Sequence, residues 1–202
     1  MESPELRVTR GHGLLEGFLA RQRARRANSL IPETARSGRI LDVGCGSYPA
    51  FLLNTRFEAR YGVDRVALPG IHDAQVTLVE QDIAGDAGLP FDDSFFEVVT
   101  MLAVFEHIET RPLGRLLREV RRVLQPGGTY VMTTPVRWTE GILKLMSHLN
   151  LVSREEVGEH KAQYSPGEIV ALLLEAGFER SDIRLGTFEL GMNLWAAAKK
   201  GG

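Results

Sequence analysis

Short apolar runs and helical stripes alternate along most of this chain. Ile40-Leu41-Asp42-Val43 is a largely apolar run closed by Gly44, the pattern of a buried parallel strand. Tyr61–Asp64, Val76–Val79 and Phe95–Val99 are further strand candidates. Thr129–Thr133, rich in β-formers, lies between Gly127-Gly128 and Pro135. Between the last two, Leu113, Leu116, Leu117, Val120 and Leu124 make one helical stripe. Pro112 suits the first turn of that helix and Pro126-Gly127 its stop, while Arg115, Arg118, Glu119, Arg121 and Arg122 point elsewhere. Ser165-Pro166-Gly167-Glu168 reads as a capping box, opening a helix that runs through Ile169, Val170, Leu172 and Leu173 to a Gly177 C-cap. Ile183–Phe188 and Leu194–Ala198 close the series as strands. Seven strands interleaved with helices predict an α/β fold, a doubly wound and mostly parallel sheet with helices on both faces.

Ahead of this domain, Leu14, Leu15, Phe18 and Leu19 fall at helical spacings and are followed by Arg21, Arg23, Arg25 and Arg26. Residues 1–37 therefore read as an N-terminal helical lid whose arginines form a solvated face. At 202 residues the chain fits one domain, read as 38–202. A net charge of −2 argues against a protein built to grip nucleic acid backbones, so no nucleic acid partner is expected. Cys45 has no partner for an internal disulfide, which suits a reducing compartment. No apolar stretch is long enough to span a bilayer, and the charged first 20 residues do not resemble a secretory signal. A cytoplasmic protein is expected.

The chemistry concentrates in Asp42-Val43-Gly44-Cys45-Gly46-Ser47. In an open parallel sheet, ligands sit beyond the carboxyl ends of the strands, and glycines there let the backbone approach the ligand. A nicotinamide dinucleotide site calls for G-x-G-x-x-G, but the third glycine position holds Pro49. With no Tyr-x-x-x-Lys pair either, an oxidoreductase or epimerase is disfavoured.

Ile40–Gly46 resembles the first motif of the Rossmann-like S-adenosylmethionine-dependent methyltransferases, in the branch that includes ubiquinone/menaquinone-type and small-molecule enzymes. Further likenesses follow in order: Asp64 ending the second strand, Asp82-Ile83 after the third, Met101–Ile108 ending near a Glu-His pair, and Leu116–Gly128 as helix and turn. They span roughly residues 39–135 and resume over 160–198. The resemblance implies S-adenosyl-L-methionine as cofactor. Asp64 would receive both ribose hydroxyls, Asp82 the adenine amino group, and Ile83 would pack on the ring. Asp42 would face the cofactor's amino group or support the glycine turn, with Gly44, Cys45 and Gly46 lining the loop. Arg65, Leu102 and Ala103 complete the implied cofactor set. No metal is implied. Cys45 has no neighbouring base in sequence and is expected to be a small lining residue rather than a nucleophile.

Methyl transfer from a sulfonium is an in-line displacement, so the protein mainly aligns nucleophile and methyl and excludes water. A base is needed only for a protonated, poorly nucleophilic acceptor. His107 and His160 are the candidates, each equally explicable as a structural histidine. Residues 136–164 form an insert near the implied acceptor site, with Ile142, Leu143, Leu145, Met146, Leu149, Leu151 and Val152 as an apolar stretch. An acceptor lid, core packing and a homodimer contact all account for these residues. A small apolar or aromatic acceptor is expected. The segment after Val99 lacks the Asn/Asp-Pro-Pro-aromatic signature of enzymes that methylate amino groups of bases or glutamine. The alternative outside catalysis is a methyltransferase fold acting as a partner subunit.

Overall fold

The computed structural model describes residues 16–66, 75–136 and 164–202. Helix α1 (Glu16–Leu30) leads into a 3-10 turn, Glu33–Ser37, and then strand β1 (Arg39–Val43). There follow α2 (Ala50–Leu53), β2 (Ala59–Asp64), β3 (Val76–Glu80), β4 (Phe96–Leu102), α3 (Thr110–Val123), β5 (Leu124–Pro135), α4 (Pro166–Glu175), β6 (Ile183–Phe188) and β7 (Asn193–Lys199). The sheet order is β3-β2-β1-β4-β5-β7-β6. Neighbours pair in parallel except β7, which runs antiparallel to both β5 and β6. This is the expected doubly wound, mostly parallel seven-stranded architecture.

Two apolar layers cover the sheet, which is why β1 and β4 read as continuous hydrophobic runs rather than alternating ones. On one face, Leu113, Leu116, Leu117 and Val120 of α3 and Ile169, Leu172 and Leu173 of α4 pack with Leu41, Val43, Val99, Met101, Tyr130 and Met132. On the other, Ala27 of α1, Ile31 and Phe51-Leu52 of α2 pack with Ile40, Val98, Val131 and Ala197. Asn28, near the C-terminal end of α1, accepts from Thr55 beside the amino end of β2 (2.7 Å). Arg26, further back along α1, stacks on the Trp195 ring at 4.4 Å. The helix therefore runs against the direction of the parallel strands, with its first residues at their carboxyl ends.

The sequence-predicted capping box of α4 is present: Ser165 accepts from the Glu168 backbone (3.3 Å), and the Glu168 carboxylate accepts from the Ser165 backbone (2.7 Å). Gly177 follows at φ +95°. Helix α3 ends at Val123, before Pro126-Gly127, and Leu124 is already the first residue of β5. The reason is tertiary: Ser94 and Phe95 donate to the Arg122 and Val123 carbonyls (3.0 and 2.8 Å), and Lys200 Nζ donates to the Leu124 carbonyl at 2.6 Å. Groups from elsewhere in the chain take the helix's last carbonyls and release the backbone into the sheet.

Between β3 and β4 the chain runs through residues 81–95 with no regular secondary structure. A loop of that length in a compact domain is uncommon unless it serves a site.

Candidate functional site

The carboxyl ends of β1, β2 and β4 meet around the glycine turn. Gly44 and Gly46 both adopt left-handed backbone, φ +77° and +71°, which other residues enter only with strain. A side chain at Gly44 would also collide with Val104, whose Cγ2 lies 2.5 Å from where a Cβ would stand. The turn is tied to β2 by two backbone donors. Gly44 N donates to the Val63 carbonyl (2.8 Å), and Gly46 N donates to Asp64 Oδ2 (2.8 Å). Asp64 is only 9% exposed, and its Oδ1 accepts from Val66 N at 3.3 Å. An ionised carboxylate offers about four acceptor positions, so these two donors leave capacity for a ligand's hydroxyls.

Asp42 lies one layer deeper, 4% exposed, and accepts a 2.6 Å hydrogen bond from Thr100 Oγ1 on the adjacent β4. Burial pushes its carboxyl up to about 7, the Thr100 hydroxyl opposes that, and nearby Asp64 adds to it. Between pH about 4 and 7 the folded chain holds this proton and the unfolded chain does not. Stability should therefore decline as pH rises through that window. Asp42→Asn should flatten that part of a plot of Tm against pH; an unchanged slope would assign the proton elsewhere.

Cys45 Sγ packs over Gly62, where a Cβ would stand 2.7 Å from the sulfur. Burial raises its thiol strongly, with Asp42 and Asp64 adding to the effect, so it stays protonated and is no nucleophile.

The remaining sequence candidates are distributed around this turn. Arg65 is exposed beside Asp64. Asp82 is exposed at the start of the 81–95 loop, where its Oδ1 accepts from Ala84 N (3.0 Å), and Ile83 packs against the core. Leu102 ends β4. Ala103 follows at φ +57°, held there by donation from its N to the Thr133 carbonyl at 2.9 Å. A non-glycine residue in that conformation is strained, and such residues cluster at functional sites. His107 closes the 3-10 turn Phe105–His107, half-buried, just ahead of α3. His160 and the apolar residues 142–152 lie outside the described residues, as do Leu14 and Leu15.

Several contributors escaped the sequence reading. Thr100 reads as an ordinary β-former but holds Asp42. Val104 fills the space opposite Gly44. Glu106, 4% exposed, accepts from Thr134 Oγ1 (3.0 Å), joining the β4 turn to the end of β5. Tyr164 donates to the Ile108 carbonyl (2.9 Å) and meets Phe105 edge-on, so the entry to α4 braces the same turn. Among the described residues no group of three or more His, Cys, Asp or Glu could hold a metal ion, and no helix is long and apolar enough to cross a membrane. A cavity of about 470 Å³ lined by Glu97, Gln125, Arg184 and Lys199 opens at the opposite, amino end of the strands. Ligands of open parallel sheets bind at the carboxyl end, so the glycine turn is the candidate site.

A family profile described as a methyltransferase domain matches residues 41–132, which contain most of β1, all of β2 to β4 and α3, and most of β5. A Mycolicibacterium smegmatis protein named "Probable S-adenosylmethionine-dependent methyltransferase" is 30% identical over 151 residues, covering 74% of this chain and 54% of that protein. The chain spans less than half the length of other curated relatives that it matches, at 45%, 22% and 16%. Among solved structures, a chain in the complex between the Haloferax volcanii Trm112 methyltransferase activator and a methyltransferase superposes with a TM-score of 0.69. That match has 16% identity over 92% of this chain and 93% of the other. Haemonchus contortus phosphoethanolamine N-methyltransferase 2, solved with S-adenosyl-L-methionine, gives 0.64 with 15% identity over 90% of this chain and 53% of its own. At such identities the likeness is one of fold.

Proposed function

We propose, on the premise that this chain carries a methyltransferase domain of the S-adenosylmethionine-dependent class, that it transfers the cofactor's methyl group to a small, apolar or aromatic acceptor. The observation that carries the cofactor half is the single unit formed by the glycine turn and the strand-end carboxylate. Asp64 holds Gly46 N at 2.8 Å and keeps acceptor capacity, while Gly44 and Gly46 present bare backbone beside it. The residues present fit a ligand with a dihydroxy sugar, and Pro49, where a pyrophosphate-binding turn calls for its third glycine, disfavours a dinucleotide. S-adenosylmethionine, when bound, supplies a methyl group on a sulfonium that departs as a neutral thioether. Asp64 would take the ribose hydroxyls, Asp42 the amino group or the base of the turn, and Asp82-Ile83 the adenine. Arg65 and Leu102-Ala103 would line the same crevice.

The acceptor half rests on placement. The turn 103–108, the start of α1 and the exit of β5 all gather at the carboxyl end of the sheet. The start of the 1–37 element and residues 136–164 would close over the acceptor there and exclude water. His107, at the end of the β4 turn, would take a proton from an acceptor that arrives protonated, and His160 would be the second candidate. A fold alone does not name an acceptor, so the test begins with the cofactor.

Calorimetric titration with S-adenosylmethionine, S-adenosylhomocysteine and NADH in parallel decides it. Binding of the first two alone is expected, followed by transfer of labelled methyl to a phenol or quinol panel. Binding of NADH alone would overturn the reading. Cofactor binding without turnover on any acceptor would favour a subunit role, for which the Haloferax volcanii complex, a methyltransferase with its activator, supplies the precedent.

A further inference from the structure

The 81–95 loop carries Asp82 at its start, yet that stretch has little of its own to hold it in shape. Gly85 N donates to the Asp82 carbonyl (3.2 Å), and the Gln81 side-chain amide donates to the Gly88 carbonyl (2.8 Å), closing residues 81–88 into a ring. Where that ring ends, a charge pair on α3 takes over. Glu119 Oε2 accepts from Leu89 N at 2.8 Å. Arg122 donates to the carbonyls of Leu89 and Phe91, each at 2.9 Å, and to Asp93 Oδ1 at 2.7 Å. It also grips both Glu119 oxygens, at 2.9 and 2.8 Å. The fork of the guanidinium is fully used, all five of its contacts being to carboxylate oxygens or to loop carbonyls that define the return path. Gly88 belongs to the same device: a methyl group there would run into the Glu119 carboxylate. Arg115, one turn earlier on α3, adds an ion pair to Asp86 at 2.9 Å.

The loop does not depend on this pair for its burial. Leu89 is only 4% exposed, and Phe91 and Phe95 pack edge-on against Tyr61 of β2 at 5.9 and 5.6 Å. The apolar anchors secure the loop to the domain; the charge pair sets where its backbone lies. Geometry at a recognition site is sensitive to small displacements, and an aromatic anchor alone permits sliding that a bidentate clamp does not.

We propose that Glu119 and Arg122 are positioning residues for the purine of the cofactor, holding residues 81–89 so that Asp82 distinguishes a 6-amino from a 6-oxo ring. This rests on the reading above, in which Asp82 accepts from the adenine amino group. A carboxylate there accepts a hydrogen bond from an amino group and is repelled by a carbonyl. Its selectivity is lost when the loop drifts, even though the ribose contact at Asp64 persists.

The test compares S-adenosylhomocysteine with S-inosylhomocysteine, its 6-oxo counterpart, by calorimetry on the wild-type chain and on Glu119→Ala and Glu119→Gln, with Tm recorded for each. The wild type should prefer the amino ligand on the order of 10–100-fold, the worth of one hydrogen bond to a charged group. In Glu119→Ala the preference should fall to within about 5-fold, chiefly by weaker binding of the amino ligand, with a smaller loss in Glu119→Gln. A merely structural role would lower Tm and weaken both ligands alike. An undiminished preference in a folded variant overturns the proposal, and if the alanine variant does not fold the glutamine variant decides. A wild type that binds both ligands equally refutes the Asp82 contact and this inference while leaving the methyltransferase reading intact. A wild type that binds neither S-adenosylmethionine nor S-adenosylhomocysteine refutes that reading as well.

Discussion

Alanine in place of Gly44 should cost this protein stability and cofactor affinity together. The backbone at φ +77° is one that alanine enters with strain of about 1–3 kcal/mol. The added methyl would also stand 2.5 Å from Val104 Cγ2 and 3.0 Å from Cγ1. Val104 is a buried, β-branched side chain with little freedom to turn aside. Together these should lower stability by about 2–4 kcal/mol, a fall in Tm of roughly 5–15 °C for a domain of this size. The turn can relieve the clash only by moving away from β4, which displaces the backbone that would meet the ligand. S-adenosylhomocysteine should then bind at least about 100-fold more weakly, a loss of about 2.7 kcal/mol. The double variant Gly44→Ala/Val104→Ala separates the causes. It removes both close contacts but leaves φ strained, so it should recover part of the affinity and little of the stability. A single variant that binds like wild type would mean that the turn does not face the ligand.

Asp64→Ala should be the most damaging change in the site that leaves the fold standing. Its carboxylate performs two tasks on one side chain: it fixes Gly46 N, and it would receive the two ribose hydroxyls. Hydrogen bonds to a charged acceptor are worth about 1.5–3 kcal/mol each, so losing both ribose contacts predicts a weakening on the order of 100–10,000-fold. The loss of the Gly46 bond adds a modest fall in Tm. Asp64→Asn distinguishes the tasks, since its amide oxygen still accepts from Gly46 N while the NH2 cannot accept from a hydroxyl. Calorimetry should find its Tm near wild type and its affinity about 10-fold or more below it. Equal affinity in wild type, alanine and asparagine variants would remove Asp64 from the cofactor's contacts.

What could be read from the amino-acid sequence was whatever the chain declares locally. The β1 run and its two glycines announce themselves within seven residues, and the Ser165/Glu168 box within four. The fold class followed, because seven such runs separated by helices admit few arrangements. Strand ends were less legible. Thr129–Thr133 proved to lie inside a strand from Leu124 to Pro135, because its ends are set by pairing: Leu124 opposes Phe96 of β4, and Pro135 opposes Asn193 of β7, some 60 residues later. The same holds in the site. Asp42 is visible as an acid before a glycine, but its raised carboxyl comes from burial among strands and from Thr100, far along the chain. Glu119 and Arg122 show only as charges on the polar side of a helix. Their targets, Leu89 to Asp93, lie about 30 residues back, and no local pattern connects them.

The antiparallel β7 also bears on how the chain is made. β5 runs through seven consecutive buried residues, Gly128–Thr134, and its neighbour on one side is β7, at residues 193–199. At about 5–20 residues per second, a ribosome needs roughly 3–12 s after finishing β5 to make its partner. For that interval a long apolar strand stands as an open edge, the kind that templates pairing with another chain. During that interval the nascent chain is exposed to aggregation, with the glycine turn already made and two of the seven strands, β6 and β7, still missing.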